Sequence, residues 1–217
     1  MSFQNRWNRF IYGLWAPVYD RFVGLPFIVR ERKRALSLLQ LRSGEHVLIV
    51  GVGTGPDLAF LPEGVAATGI DLSEAMLAKA RGKLPLPGRK IVLERGNAEA
   101  LPYPDAMFDA AILFLILSVA DDPRSVLLET FRVLRPGGRV VVFDKFLAAG
   151  QQPSVGRALL NALLMRPFGT DINRSLEPML CGVPAVTISD EPSLMGGAYR
   201  IIELRKSGEE RASKGSP

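Results

Sequence analysis

Three glycines and one aspartate carry the first chemical signal in this chain. Residues 48–55 read LIVGVGTG, so Gly51, Gly53 and Gly55 follow an apolar run that fits a strand and open a stretch that fits a helix. Glycines at these positions let the backbone turn sharply and let a ligand lie against main-chain atoms. Asp71 ends the next β-rich run, VAATGI at 65–70. A carboxylate at the tip of a second strand can accept both hydroxyls of a ribose, and open α/β sheets bind ligands outside the carboxyl ends of their strands. The other duty open to Asp71 is that of an acid favoured at the start of the following helix. A dinucleotide turn, G-x-G-x-x-G, needs glycine at 56, where Pro56 stands, and no Walker lysine follows the loop. A pyrophosphate cradle and nicotinamide redox chemistry are therefore disfavoured.

The elements that must position these residues alternate along the chain. HVLIVG (46–51), VAATGI (65–70), KIVLER (90–95), FDAAILFLIL (108–117) and RVVVFDKF (139–146) read as strands. PDLAFL (56–61) reads as a short helix, SEAMLAKARGKL (73–84) as a helix capped by Ser73, and RSVLLETFRVL (124–134) as another. Near-continuous apolar strands separated by helices predict a parallel sheet covered on both faces. Beyond Ala148 the pattern changes to an amphipathic helix, VGRALLNALLMRPF (155–168). Two strands follow, PAVTISDE (184–191) and AYRIIELRK (198–206), expected to close the sheet as an antiparallel hairpin. The expected division is a helical lid over 1–40, a ligand-binding domain over 41–206 and a polar disordered tail over 207–217.

Four segments, LIVGVGTG, TGIDLSEAMLAKAR (68–81), GNAEALPYPDAMFD (96–109) and LRPGGRVVVFDKF (134–146), resemble the successive motifs of class I S-adenosylmethionine-dependent methyltransferases. The resemblance implies a Rossmann-like, doubly wound sheet of seven strands, mostly parallel with an antiparallel last strand. It also implies that Gly51, Gly53 and Gly55 pass beneath the methionine part of S-adenosylmethionine and that Asp71 holds its ribose. Leu72 and Met76 would flank the adenine, and Asn97, Ala98 and Glu99 would lie by its edge. Phe114 would border the methyl-transfer region, unless it is a core aromatic. The chain departs from the pattern at Ile49, where an acid that helps hold the loop is usual.

YGLWAPVYD (12–20) resembles the opening segment of methyltransferases of lipid quinones and of phosphatidylethanolamine, which places Tyr19 near the methionine end of the cofactor. ILSVADDPRSVLLETFRVLRPGG (116–138) is more similar to the bacterial phospholipid N-methyltransferases. Ahead of it, Phe3, Trp7, Phe10, Ile11, Leu14 and Trp15 share one helical face, with Arg6 and Arg9 among polar neighbours and no acid. That is the pattern of a helix lying in an anionic membrane surface, or of a lid packed on the domain. RERKR (30–34) and the arginines at 157, 166 and 174 add basic surface, and the net charge is +5.

At 217 residues, with 47% hydrophobic and 23% charged, the chain fits one globular domain. Its single cysteine, Cys181, excludes an internal disulfide, suits a cytoplasmic setting and is expected to be a small buried hydrophobe. One histidine and one cysteine leave no metal cluster to assemble. His46, at the start of the first strand, sits away from the expected site. Any proton acceptor must then be carboxylate, tyrosine or water, with Tyr19, Asp20 and Asp144 the candidates. Asp20 could instead cap the next segment, and Asp144 could be a surface acid.

The leading expectation is N-methylation of a phosphatidylethanolamine-type headgroup amine at the inner membrane face. The alternatives are C-methylation of a lipid quinone, methylation of a soluble small molecule, and cofactor binding without turnover. Nucleic acid is disfavoured, because FLIL replaces the Asn/Asp-Pro-Pro-aromatic segment after the fourth strand.

Overall fold

The computed structural model describes residues 21, 23–147, 150–168 and 170–208. Tyr19, Asp20, the aromatic segment 1–19 and the tail beyond Gly208 lie outside the described residues. The elements, in order, are α1 (Pro26–Leu38), β1 (His46–Val50), β2 (Ala66–Asp71), α2 (Glu74–Arg81), β3 (Lys90–Arg95), β4 (Phe108–Phe114), α3 (Pro123–Val133) and β5 (Leu134–Lys145). They continue with α4 (Val155–Phe168), α5 (Leu176–Leu180), β6 (Ala185–Pro192) and β7 (Tyr199–Lys206). The strands form one sheet in the order β3-β2-β1-β4-β5-β7-β6. β1 to β5 pair in parallel, and β7 runs antiparallel to both β5 and β6. The chain order reverses between β1 and β4, and this switch point opens the crevice in which such sheets bind ligands.

Alternation along the central strands explains their continuous apolar sequence. Leu48 and Val50 of β1 face a cluster with Val126, Leu127 and Phe131 of α3 and with Leu176 and Met179 of α5. Val47 and Ile49 face the opposite cluster, with Ile28, Ala35 and Leu36 of α1 and Leu77 and Ala80 of α2. Both faces of the sheet are therefore covered, as the sequence pattern requires.

Several local expectations need correction. The segment 56–61 forms only one 3₁₀ turn, Leu58–Phe60, with no side-chain cap. Asp57, which could have capped a longer helix, gives both carboxylate oxygens to Arg32 instead, at 2.7 and 2.5 Å. RERKR is not a plain basic surface: Glu31 and Arg32 are both buried, at 5% and 3% exposure. Cys181 is exposed, at the point where the chain leaves α5, with its N–H bonded to the Pro178 carbonyl and its own carbonyl to Arg124. The strand read from 139 begins at Leu134, with the Pro-Gly-Gly stretch forming an irregularity before pairing resumes at Arg139.

α4 packs in the reverse of the usual sense. Arg157 and Asn161 point inward and bond to Phe146, Ile172, Asn173 and Asp171, while Val155, Leu159 and Leu163 are largely exposed.

Candidate active site

The loop after β1 is built by its glycines. Gly51, Gly53 and Gly55 have φ of +71°, +55° and +72°, a region where L side chains are strained. A Cβ on Gly51 would lie 2.9 Å from Ile116 Cδ1, so the loop after β4 can approach only glycine here. The N–H groups of Gly51 and Val52 donate to the Ile70 carbonyl at 2.9 and 3.0 Å, folding the loop over the end of β2.

Asp71 joins the loop to the next helix. Its Oδ2 accepts the Gly53 N–H and its Oδ1 accepts the Ser73 N–H, both at 2.8 Å. Ser73 in turn caps α2 by accepting the Met76 N–H. Burial raises the Asp71 pKa above its ordinary value, opposed by the N–H groups of Ser73, Gly53 and Leu72. Each oxygen uses one lone pair in these bonds and keeps acceptor capacity for a hydroxyl.

This answers the departure at Ile49. Ile49 is 2% exposed and packs in the core, so it cannot hold the loop by charge. The loop is tied instead by Asp71 at Gly53 and by the buried Arg32–Asp57 pair just beyond Gly55.

The remaining expected residues gather at the same edge. The Gly96 N–H donates to the Asp71 carbonyl, which places the segment 97–99 beside the tip of β2. Asn97 Oδ1 accepts the Glu99 N–H at 3.1 Å, and Glu99 Oε1 accepts the Asp122 N–H at 3.0 Å. Asn97, Ala98, Glu99 and Leu72 are all half-buried. Met76 is 3% exposed yet belongs to neither large core cluster. Phe114 is 4% exposed and packs edge-on to Phe143, with the Arg32 guanidinium 5.3 Å from its ring centre. It serves the core whatever else it borders.

Asp144 is not a surface acid: it is fully buried at the end of β5. Its oxygens accept the N–H groups of Ser118 and Lys145, at 2.9 and 2.8 Å, which fastens the loop after β4 to β5. His46 lies at the amino end of β1, against Phe108 and bonded to Thr68 Oγ1 at 2.9 Å, remote from the glycine loop. Among the described residues no group of His, Cys, Asp or Glu is arranged to hold a metal ion.

Comparison with known proteins identifies the family. A family model described as a methyltransferase domain matches residues 48–142. A phosphatidylethanolamine N-methyltransferase of Cereibacter sphaeroides is 32% identical over 90% of this chain and 95% of its own length. The chain belongs to the class I S-adenosylmethionine-dependent methyltransferases. A ubiquinone/menaquinone C-methyltransferase of Geobacter sulfurreducens is 39% identical, over 59% of this chain and 54% of its own length. Among solved structures, the [4+2]-cyclase SpnF superposes with a TM-score of 0.75 at 20% identity, covering 92% of this chain and 96% of its own. The last likeness is one of fold alone.

The residues fit the cofactor of this methyltransferase family. The glycine loop and Asp71 lie together at the carboxyl edge of the sheet, and Asp71 keeps acceptor capacity that a ribose hydroxyl could use.

Sequence reasoning missed the Arg32–Asp57 pair and a polar group at the ends of β4 and β5. There Lys145 Nζ donates to Thr170 Oγ1 at 3.2 Å, and Thr170 Oγ1 lies 3.4 Å from Ser118 Oγ. No local motif marks these residues. Their only signal is position, each at or just after the carboxyl end of a strand or in the segment that covers it.

Proposed function

We propose that the enzyme N-methylates the headgroup amine of a phosphatidylethanolamine-type lipid. The observation that carries this reading is the extent of the match to the phosphatidylethanolamine N-methyltransferase. It spans 90% of this chain and so reaches into the segment after β5 that borders the acceptor side, whereas the quinone enzyme matches 59%. The outward apolar residues of α4, Val155, Leu159 and Leu163, support work at a lipid surface. Among the described residues no helix is long and apolar enough to cross a membrane, which suits a peripheral attachment.

When bound, the cofactor supplies an electrophilic methyl group with its own leaving group. The protein's part is alignment. The loop 51–55 and Asp71 would hold the cofactor, with Leu72, Met76, Asn97, Ala98 and Glu99 around its adenine. Tyr19 and Asp20 are proposed to orient the amine or accept its proton. Asp144, with both oxygens turned to main-chain N–H groups, positions the loop after β4.

The test is incubation with S-adenosylmethionine and phosphatidylethanolamine vesicles, followed by mass spectrometry of the lipid. Monomethylated lipid is expected. Methylation of a reduced quinone and not of the phospholipid would move the reading to C-methylation, which the 39% identity of the quinone enzyme favours. Methylation of soluble amines alone would remove the lipid acceptor.

A further inference from the structure

The carboxyl edge of the sheet that carries the glycine loop also carries a lysine, at the end of β5. Lys145 is the last residue of β5, and its Nζ lies 5.7 Å from the centre of the Tyr199 ring and 3.2 Å from Thr170 Oγ1. Ser118, from the loop after β4, completes the group through the Thr170 hydroxyl. Ser118 and Thr170 are buried, while Lys145 is partly so.

The neighbouring cations have other work. Arg174 donates to the carbonyls of Leu117 and Ala120, and Arg157 to those of Phe146 and Ile172. Both arginines fasten loops. The adjacent Asp144 is turned to main-chain N–H groups. An ammonium carries three donors and no acceptor, and among the described residues the one hydrogen bond of Lys145 Nζ is to Thr170. Burial lowers the ammonium's pKa, with Asp144 opposing, so an oxyanion arriving at Nζ would restore the charge it binds.

We propose that Lys145, positioned by its bond to Thr170 Oγ1, holds the phosphodiester of the acceptor and thereby selects a phosphate-bearing headgroup. This rests on the phospholipid reading only for the source of the phosphodiester. A neutral quinol offers no anionic oxygen to this ammonium.

Two measurements test it. The Lys145 side-chain ¹³Cε resonance, assigned by its loss in Lys145→Met, is titrated with glycerophosphoethanolamine in the presence of S-adenosylhomocysteine. In parallel, methylation kinetics are compared for phosphatidylethanolamine and for a long-chain amine lacking phosphate. The expected result is a saturable shift in the wild type. Lys145→Met then raises KM for the phospholipid by about tenfold or more, the worth of one charge-assisted hydrogen bond. Its kcat and its S-adenosylhomocysteine affinity stay near wild type, and Lys145→Arg keeps most of the phospholipid KM. A shift without methylation of any phospholipid supports the anion site and removes the phospholipid reading. No shift, with an unchanged phospholipid KM in Lys145→Met, overturns the site and leaves the phospholipid reading standing. A fall in kcat at unchanged KM also overturns it, since Lys145 would then act on the reaction and not on the anion. Neither shift nor phospholipid methylation overturns both.

Discussion

Replacing Asp71 by asparagine separates the carboxylate's part in cofactor binding from its part in folding. Asparagine keeps the shape and one acceptor oxygen. Its amide NH₂ must then face the N–H of either Gly53 or Ser73, so one of two 2.8 Å bonds is lost. A hydrogen bond to a charged group is worth about 1.5–3 kcal/mol. Folding, however, also stops burying a charge. Because burial raises the Asp71 pKa in the folded state, that state binds the proton more tightly than the unfolded chain does. The ionised carboxylate therefore opposes folding at neutral pH, and the opposition vanishes as pH falls below the unfolded value. The two effects offset, and Asp71→Asn is expected to change unfolding free energy at pH 7 by no more than about 1–2 kcal/mol. The cofactor has no such offset. Two ribose hydroxyls lose a charged acceptor and keep one neutral oxygen, a loss of about 2–4 kcal/mol, or about 30- to 1,000-fold in Kd. Calorimetric titration with S-adenosylhomocysteine, beside urea unfolding, reads both. A Kd within about threefold of wild type would refute the ribose role, and a stability loss as large as the binding loss would make Asp71 a structural cap. Wild-type affinity should also weaken with acid at a higher pH than an ordinary aspartate would give, since protonation removes the acceptor.

Other perturbations follow from the same geometry. Arg32→Met leaves the buried Asp57 carboxylate without its guanidinium and should cost about 3–5 kcal/mol in urea unfolding; a change below about 1 kcal/mol would show the pair to be dispensable. Gly51→Ala must adopt φ near +71° with its Cβ against Ile116, so it should lose about 1–2 kcal/mol of stability and bind S-adenosylhomocysteine more weakly. His46→Gln should leave kcat unchanged, and a large fall would return the histidine to the mechanism. Burial lowers the folded pKa of His46 below 6.5, so its contribution to stability is complete above that value and is lost as pH falls through it. The glutamine variant should lack the fall in stability that sets in below pH 6.5. Leu159→Ser with Leu163→Ser should weaken sedimentation with anionic vesicles while cofactor affinity is kept; equal sedimentation would exclude α4 from the lipid surface.

The sequence by itself determined the sheet, its doubly covered strands and the cofactor edge. These features are local: period-two and continuous apolar runs fix strands, and glycines followed by a strand-tip aspartate fix a turn and a carboxylate within one βαβ unit. Tertiary structure decided what depends on residues distant in the chain. Asp57 falls in a run that reads as a short helix and Arg32 in a basic run, and only packing of α1 against the loop makes them a buried pair. Asp144 reads as a free acid until the loop after β4 brings the Ser118 N–H to it. The helical period of 155–168 shows two faces but not which one is outward; Arg157 and Asn161 turn inward because carbonyls and carboxylates of 146 and 171–173 wait there. Lys145, Thr170 and Ser118 have no spacing to announce them, since strand ends far apart in sequence meet only when the sheet forms.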